Sequence, residues 1–334
     1  MPQSEHPDFA TLTDVIAPWA MRVAATLGLA DHIGSGITTI PELAIASGAH
    51  PDALRRLLRF LVVRGVFREI DTGSYALGSS AQLLKADHPA GRHKWLDLSG
   101  AGAVLDATYV GLLDSIRTGE PAYERVHGLS FWEHLSAEPT LAASFDTLMA
   151  ENAAWFGEIT AAYDWTGVER VVDVGGGTGA LLADVLVAQP QLSGALLDLP
   201  DTVAAAASIL DAAGVRARVD LIGGSFFDPW PPGAQVYLLS HVLHDWNDDD
   251  ARRILRRGAE AIGEGGRLLL IERLADDEPD ELLATKMDLR MLVLVGGRER
   301  GAGDFSTLAG DVGLDCRTLT RTESGRTLLE CRKR

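Results

Sequence analysis

The chain has 334 residues, 46% of them hydrophobic and only 14 of them proline, which is enough apolar material for one large core or two and excludes a disordered chain. Its net charge of −17 repels phosphate backbones and anionic lipids, and no apolar run reaches the length of a membrane span, so neither nucleic acid nor a membrane is expected as a partner. Two cysteines, Cys316 and Cys331, are too few for a disulfide framework or a zinc site, and the N-terminus has no basic start or apolar signal core, so a cytoplasmic protein with two thiols is expected.

In chain order, FATLTDVIAPWAMRVAATLGLADHI carries apolar residues at helical spacing. TTIPELAIASGAHPDALRRLLRFLVVRGVFREI reads as helix, turn, helix: Thr39 caps the first, Gly48 breaks it, and Pro51 with Asp52 starts the second. VFREIDTGSYALG is a hairpin turning at DTG. Helix–turn–helix plus hairpin is a winged-helix pattern over residues 1–95. Such a domain raises DNA binding as a second class of function, with RRLLRF offering arginines. Against it, residues 1–95 hold nine Lys/Arg and nine Asp/Glu, a net of zero on a strongly acidic chain. VIAPWAMRVAATLGL has more apolar surface than a small winged helix can hide, which predicts a homodimer. Residues 91–163 read mostly as helix, interrupted at RTGEPAYERVHG, and 96–165 are expected to form a helical connection that contributes to the substrate pocket.

The pattern then changes. RVVDVG, GALLDLP, ARVDLIGG, AQVYLLS and GRLLLIER read as strands; GALLADVLVAQ, DTVAAAASILDAAG and DDDARRILRRGAEAIG read as helices between them. This alternation over 166–334 predicts an α/β domain with a parallel, doubly wound sheet. LDCRTLTRTESGRTLLECRK reads instead as an antiparallel hairpin turning at ESG. A turn symmetric about Glu323 and Ser324 sets Cys316 opposite Cys331, a spacing that permits a disulfide under oxidation.

VVDVGGGTGALL joins a strand ending at Val174 to a helix starting near Thr178. Gly175, Gly177 and Gly179 follow G-x-G-x-G, not the dinucleotide G-x-G-x-x-G. Asp198, at the end of the next strand with Leu199 beside it, is placed to accept both hydroxyls of a ribose. Asp173 suits a cationic ammonium group and opposes a pyrophosphate. These residues resemble the class I methyltransferases that use S-adenosyl-L-methionine. In that resemblance GGSFFDPWP sets an aromatic residue on adenine, here Phe226, with Ser225 at its edge and Phe227 nearby. Many members carry an acidic residue where this chain has Ser225.

HVLHDWNDDD follows the strand AQVYLLS, whose carboxyl end faces a ligand crevice. The winged-helix start, DVGGGTG, GSFFDP, HVLHDW, MDLRML and GGRER together resemble the small-molecule O-methyltransferases of plant phenolic and bacterial antibiotic pathways, over nearly the whole chain. The resemblance implies His244 as general base, Glu272 behind it to orient it, and Glu299 as a second glutamate. It implies Ser240 and His241 on the cofactor side or packed, an intertwined dimer, and an acceptor wall containing Met287, Asp288 and Met291. Met149 and Asn152 supply a second candidate wall. Asn247 and the acidic run have a plainer role as the cap of the next helix. Metal binding by HDWNDDD competes with this, but the magnesium-using methyltransferases form a shorter group without the winged-helix start, so no metal is expected.

Chemistry supports the base. Methyl transfer from a sulfonium is an in-line displacement, so the acceptor oxygen must lose its proton. With a phenol at a pKa of about 10 and a histidine at about 6.5, prior proton transfer is uphill by roughly 5 kcal/mol. Deprotonation concerted with methyl transfer avoids that step. The expected acceptor is a flat, polycyclic or naphthoic phenol. A rival stays within the fold: some relatives in antibiotic pathways bind S-adenosylmethionine but catalyse hydroxylation or decarboxylation.

Overall fold

A computed structural model of the chain describes residues 9–89, 92–150 and 155–334. It divides into two units, one formed by residues up to 107 with 140–151, the other by 108–139 with 152–334. In the first unit the helices Ile16–Thr26 and Leu29–Gly34 are separated at Gly28, which sits at φ 59°. Ile40–Ser47 follows Thr39, whose hydroxyl donates to Glu42 at 2.7 Å, and ends at Gly48 in the left-handed region. Pro51–Val63 starts on its proline, and strands β1 (Phe67–Asp71) and β2 (Ser74–Leu77) form the predicted hairpin. Leu29, Leu43, Leu54, Leu58, Leu61 and Phe67 make the core of this unit. The helices Phe9–Leu12 and Ile16–Thr26, with Val15 between them, turn Phe9, Leu12, Val15, Ile16 and Trp19 outward within this chain. Val15, Ile16 and Trp19 belong to the apolar stretch whose excess predicts a second copy.

The second unit is built on a sheet of seven strands in the order β5-β4-β3-β6-β7-β9-β8. Strands β3 (Arg170–Val174), β4 (Ser193–Asp198), β5 (Val219–Gly223), β6 (Val236–Ser240) and β7 (Arg267–Glu272) are parallel. The last two, β8 (Leu314–Arg321) and β9 (Thr327–Lys333), run antiparallel. Alternate residues serve opposite faces: Val171, Leu196, Leu238 and Leu269 in one core, Val172, Leu197, Leu239 and Leu268 in the other. The chain adds β4 and β5 on one side of β3 and then returns to add β6 and β7 on the other, so its winding reverses between β3 and β6. The carboxyl ends of β3, β4 and β6 therefore bound the crevice in which such sheets bind ligands.

Two readings need correction. The supposed interruption at RTGEPAYERVHG contains a helix, Tyr123–His127, because Tyr123 is buried and its hydroxyl pairs with His134 Nδ1 at 2.9 Å. The two cysteines are not free thiols: Cys316 pairs with Cys331 in the predicted register, which faces the sulfurs, and they are bonded. The hairpin register then shifts between Thr318 and Thr320. Among the described residues, no helix is long and apolar enough to cross a membrane.

Candidate functional site

Val174 ends β3, and the chain turns through Gly175 at φ 68° before the helix Ala180–Ala188 begins. A Cβ at Gly175 would strike Val242, and one at Gly176 would fall on the Asp173 carboxylate, so only glycine lets this loop lie so close to the strand ends. Asp173 is fully buried, and neither of its oxygens has a hydrogen-bond partner. Burial, then the Asp198 charge, pushes its pKa up to about 7. A buried carboxylate left without donors is costly, so this site fits a ligand that brings N–H groups or positive charge.

Asp198 closes the loop from β4. One oxygen accepts the Gly177 N–H at 2.8 Å and the other the Leu199 N–H at 2.7 Å. Burial raises its pKa, and those two donors oppose the rise. A carboxylate has about four acceptor positions, so lone pairs remain for a diol. Phe226 lies against the Gly175 turn, in contact distance of the position a Cβ there would take. Its ring meets Trp246 edge-on at 5.7 Å. Phe227 spends its faces on the protein: Trp246 stands edge-on at 4.8 Å, and the Arg253 guanidinium lies 4.6 Å from the ring centre. Ser225 Oγ accepts the Phe227 N–H at 3.2 Å. Trp246, which stacks at 6.2 Å on Trp132, is an aromatic member of this wall that the motif reading passed over.

At the end of β6, Ser240 Oγ lies 3.4 Å from His241 Nδ1. Among the described residues His241 is the non-glycine residue with positive φ, at 51°. That conformation costs roughly 1–2 kcal/mol. It redirects the chain out of the sheet while the His241 N–H still reaches Ile271 O at 2.9 Å. The His241 ring packs edge-on against Trp155 at 5.2 Å. Burial, then the charges of His244, Arg326 and Arg273, holds its pKa well below the usual imidazole range, so it stays neutral.

His244 sits on the short 3-10 turn Leu243–Asp245, with its ring 5.7 Å from that of His241. Its Nδ1 faces Glu299 Oε1 at 3.2 Å, and its Nε2 lies 3.5 Å from Asp245 Oδ1. Burial alone would lower its pKa, but Asp245, Glu299 and Glu272 outweigh burial and push it up to about 10. Glu272 is not the hydrogen-bond partner of the ring. It is buried at the end of β7, where one oxygen accepts the Leu243 N–H at 3.1 Å and the other has no partner. Burial raises Glu272 to about 7 and Asp245 to about 6. Nothing in the motif reading singled out Asp245, although it adjoins His244.

The helix Glu281–Val295 leads into the segment that carries Glu299. Asp288 has one oxygen committed to that segment, accepting the Glu299 N–H at 3.0 Å. Met291 is buried and Met287 half-buried on the same helix. Met149 belongs to the first unit, on the helix Pro139–Ala150, and Asn152 lies outside the described residues. Asn247 caps the helix Asp248–Ala261, accepting the N–H groups of Asp249 and Asp250, both at 3.0 Å. Among the described residues, no group of three or more His, Cys, Asp or Glu is placed to hold a metal.

The chain is similar to known proteins over nearly its whole length. Residues 10–87 match the O-methyltransferase dimerisation domain and residues 109–315 the O-methyltransferase domain. The chain is 48% identical to 2,7-dihydroxy-5-methyl-1-naphthoate 7-O-methyltransferase of Streptomyces carzinostaticus, over 94% of each chain. It is 43% identical to aclacinomycin 10-hydroxylase of Streptomyces purpurascens, over 91% of this chain and 82% of that one. An O-methyltransferase from neocarzinostatin biosynthesis, solved with S-adenosyl-L-homocysteine and 1,4-dihydroxy-2-naphthoic acid, matches at a TM-score of 0.93. The identity there is 46%, covering 98% of this chain and 99% of that one.

Proposed function

Because the chain belongs to the S-adenosylmethionine-dependent O-methyltransferase family, we propose that it methylates a phenolic hydroxyl of a bicyclic aromatic acid of the naphthoate type. S-adenosyl-L-methionine is the cofactor, and the protein works as a homodimer through its dimerisation domain. The observation that carries the reading is the contact of His244 Nδ1 with Glu299 in the crevice that Asp173 and Asp198 border. The 48% identity to a naphthoate O-methyltransferase supports the acceptor class.

The bound cofactor supplies an electrophilic methyl group on a sulfonium. In this reading Asp173 receives its ammonium group, which gives that carboxylate the donors the protein withholds. Asp198 takes the ribose hydroxyls, with Leu199 beside it, and Gly175 and Gly177 lie along the ligand. Phe226 and Trp246 flank the adenine, with Ser225 and Phe227 at its edge. Ser240 and His241 border the cofactor, His241 as a neutral packing group.

His244 is the base. Glu299 retains the proton on Nδ1, and Nε2, which faces Asp245 Oδ1 at 3.5 Å in the empty site, accepts the phenolic one. At a pKa of about 10 the imidazole matches a phenol, so the transfer between them is close to thermoneutral. The cost moves to an earlier point: freeing Nε2 at pH 7 takes about 4 kcal/mol in the empty site. His244 would give up that proton more readily with the sulfonium bound, because a nearby positive charge disfavours the imidazolium. Glu272 stabilises the imidazolium from behind, through charge rather than a hydrogen bond.

The acceptor wall in this reading includes Met287 and Met291, whose thioethers suit a flat ring. Asp288 holds Glu299 there by accepting its N–H. Residues 1–95 form the dimerisation part, 96–165 the helical connection, and 166–334 the catalytic part. The cytoplasm suits an enzyme that draws on an intracellular methyl donor.

A second reading, hydroxylation, is favoured by the 43% identity to aclacinomycin 10-hydroxylase. Incubation with S-adenosylmethionine and dihydroxynaphthoic acids separates them by product mass. Gain of one methyl group supports the proposal. Gain of oxygen, or loss of carbon dioxide, supports the rival.

A further inference from the structure

The segment Gly297–Arg300 grips the His244 turn at every residue. A Cβ at Gly297 would collide with the His244 carbonyl, the Arg298 N–H donates to that carbonyl at 2.8 Å, and Glu299 meets the ring. Arg300 does most. Its side chain is 1% exposed, one of the largest fully buried groups among the described residues. Nη1 donates to Leu243 O and Nη2 to Trp246 O, both at 2.7 Å. Nε and Nη2 donate to Asp248 Oδ1 at 3.0 and 2.8 Å, and Nη1 also reaches Arg298 O at 3.4 Å. The two carbonyls at 2.7 Å bracket His244 and Asp245.

Leu243 is thereby fixed at both ends of its residue: Glu272 takes its N–H and Arg300 its C=O. Trp246, held at its carbonyl, packs against Phe226 and Phe227. One rigid guanidinium fork thus ties the turn bearing His244 to the aromatic wall and to the first residue of the Asp248–Ala261 helix. A buried cation serves packing poorly, because its desolvation is expensive unless every donor is used. A hydrophobic side chain would fill the space at lower cost, but it cannot hold two carbonyls at a fixed separation.

We propose that Arg300 is a positioning residue for methyl transfer, holding His244 at its working place through the Leu243 and Trp246 carbonyls. This rests on His244 being the base. A loss of placement of about 1 Å is enough to lower a rate by roughly 100-fold. Lysine keeps the charge but cannot reproduce the fork.

The test is a double-mutant cycle between Arg300→Lys and His244→Ala, on full-length dimer checked by light scattering and circular dichroism. With His244 present, Arg300→Lys should lower kcat roughly 10- to 100-fold, with KM for the acceptor and the Kd for S-adenosylmethionine within about twofold. In the His244→Ala background the same substitution should change the residual rate by less than about twofold. Equal losses in both backgrounds, or a folded Arg300→Lys dimer with unaltered kcat, overturn the proposal. If His244→Ala alone keeps the normal rate, the base assignment fails first, and that is read without any Arg300 variant. Should Arg300→Lys not fold, Asp248→Ala removes both hydrogen bonds that set the plane of the guanidinium, so that the fork no longer holds the two carbonyls at a fixed separation. A several-fold fall in kcat that vanishes in the His244→Ala background supports the clamp, and an unchanged kcat overturns it.

Discussion

The glycine-loop wall, residues 173–179 with 198–199, is built mostly of backbone, whereas the wall around His244 is built of side chains drawn from 241–248, 272 and 288–300. The first needs a strand end, tight glycine turns and two carboxylates, one of which has no donors. The second needs three carboxylates around one imidazole and a buried guanidinium to hold the turn in place. Backbone walls come with the fold and suit a ligand that every relative shares. Side-chain walls must be assembled from distant segments, and they carry chemistry that relatives are free to change. Relatives of different activity, a naphthoate O-methyltransferase and an aclacinomycin 10-hydroxylase, match this chain at 48% and 43% identity.

Substitutions on the two walls should therefore have separable effects. The largest is expected at the base: His244→Ala should lower kcat roughly 10²- to 10⁴-fold, while calorimetry finds S-adenosylmethionine affinity nearly unaltered. A parallel loss of affinity would merge the two walls. Asp198→Ala should do the reverse, since each charge-assisted hydrogen bond lost is worth about 1.5–3 kcal/mol, or roughly 10- to 150-fold in Kd. Unchanged affinity in that variant would remove Asp198 from the ribose. Glu299→Gln should cost roughly tenfold in kcat, by loosening the ring and weakening the imidazolium, with Kd unaffected. A rate equal to the parent's would leave Glu272 and Asp245 as the groups that matter.

The smallest effect is a pH dependence confined to the glycine wall. Asp173 has its pKa raised to about 7 in the empty protein, so below that pH it carries a proton that a cationic ligand must displace. Affinity for S-adenosylmethionine should fall by up to about tenfold per unit as pH drops below 7, with proton release seen as buffer-dependent binding heat. The sign for stability is the opposite: the folded group holds its proton more tightly than the unfolded one. Asp173 therefore costs the empty protein stability as pH rises from its ordinary value toward about 7, and Asp173→Asn should flatten both trends. Affinity independent of pH from 5 to 8 would take the ammonium contact away from Asp173.

The same division governed what could be read from the chain. The five parallel strands, the glycine loop, Asp173, Asp198 and the Asn247 cap each follow from a few adjacent residues, and so they were legible. Glu272 and Glu299 were identified together with His244, but not which of them touches the ring. That depends on how β7 ends beneath Leu243 and how the segment after the Glu281–Val295 helix returns to the turn. Arg300 stood in plain view within GGRER, yet its role lies in carbonyls more than 50 positions away, which no spacing reveals. The likeness of MDLRML to an acceptor helix points to Asp288, and only the fold adds that one of its oxygens accepts the Glu299 N–H. Asp245 was overlooked because its charge matters only once both it and His244 are buried.

The proposed role of His244 is to remove a proton and little else. It is tested most directly by single-turnover methylation at saturating S-adenosylmethionine, comparing the parent protein with His244→Ala across acceptors of increasing phenol acidity. The account predicts a large deficit for phenols with a pKa of about 10 that narrows steadily as the acceptor's own pKa falls toward neutrality, where the proton leaves without help. A deficit of the same size for every acceptor, or none at all, would contradict it.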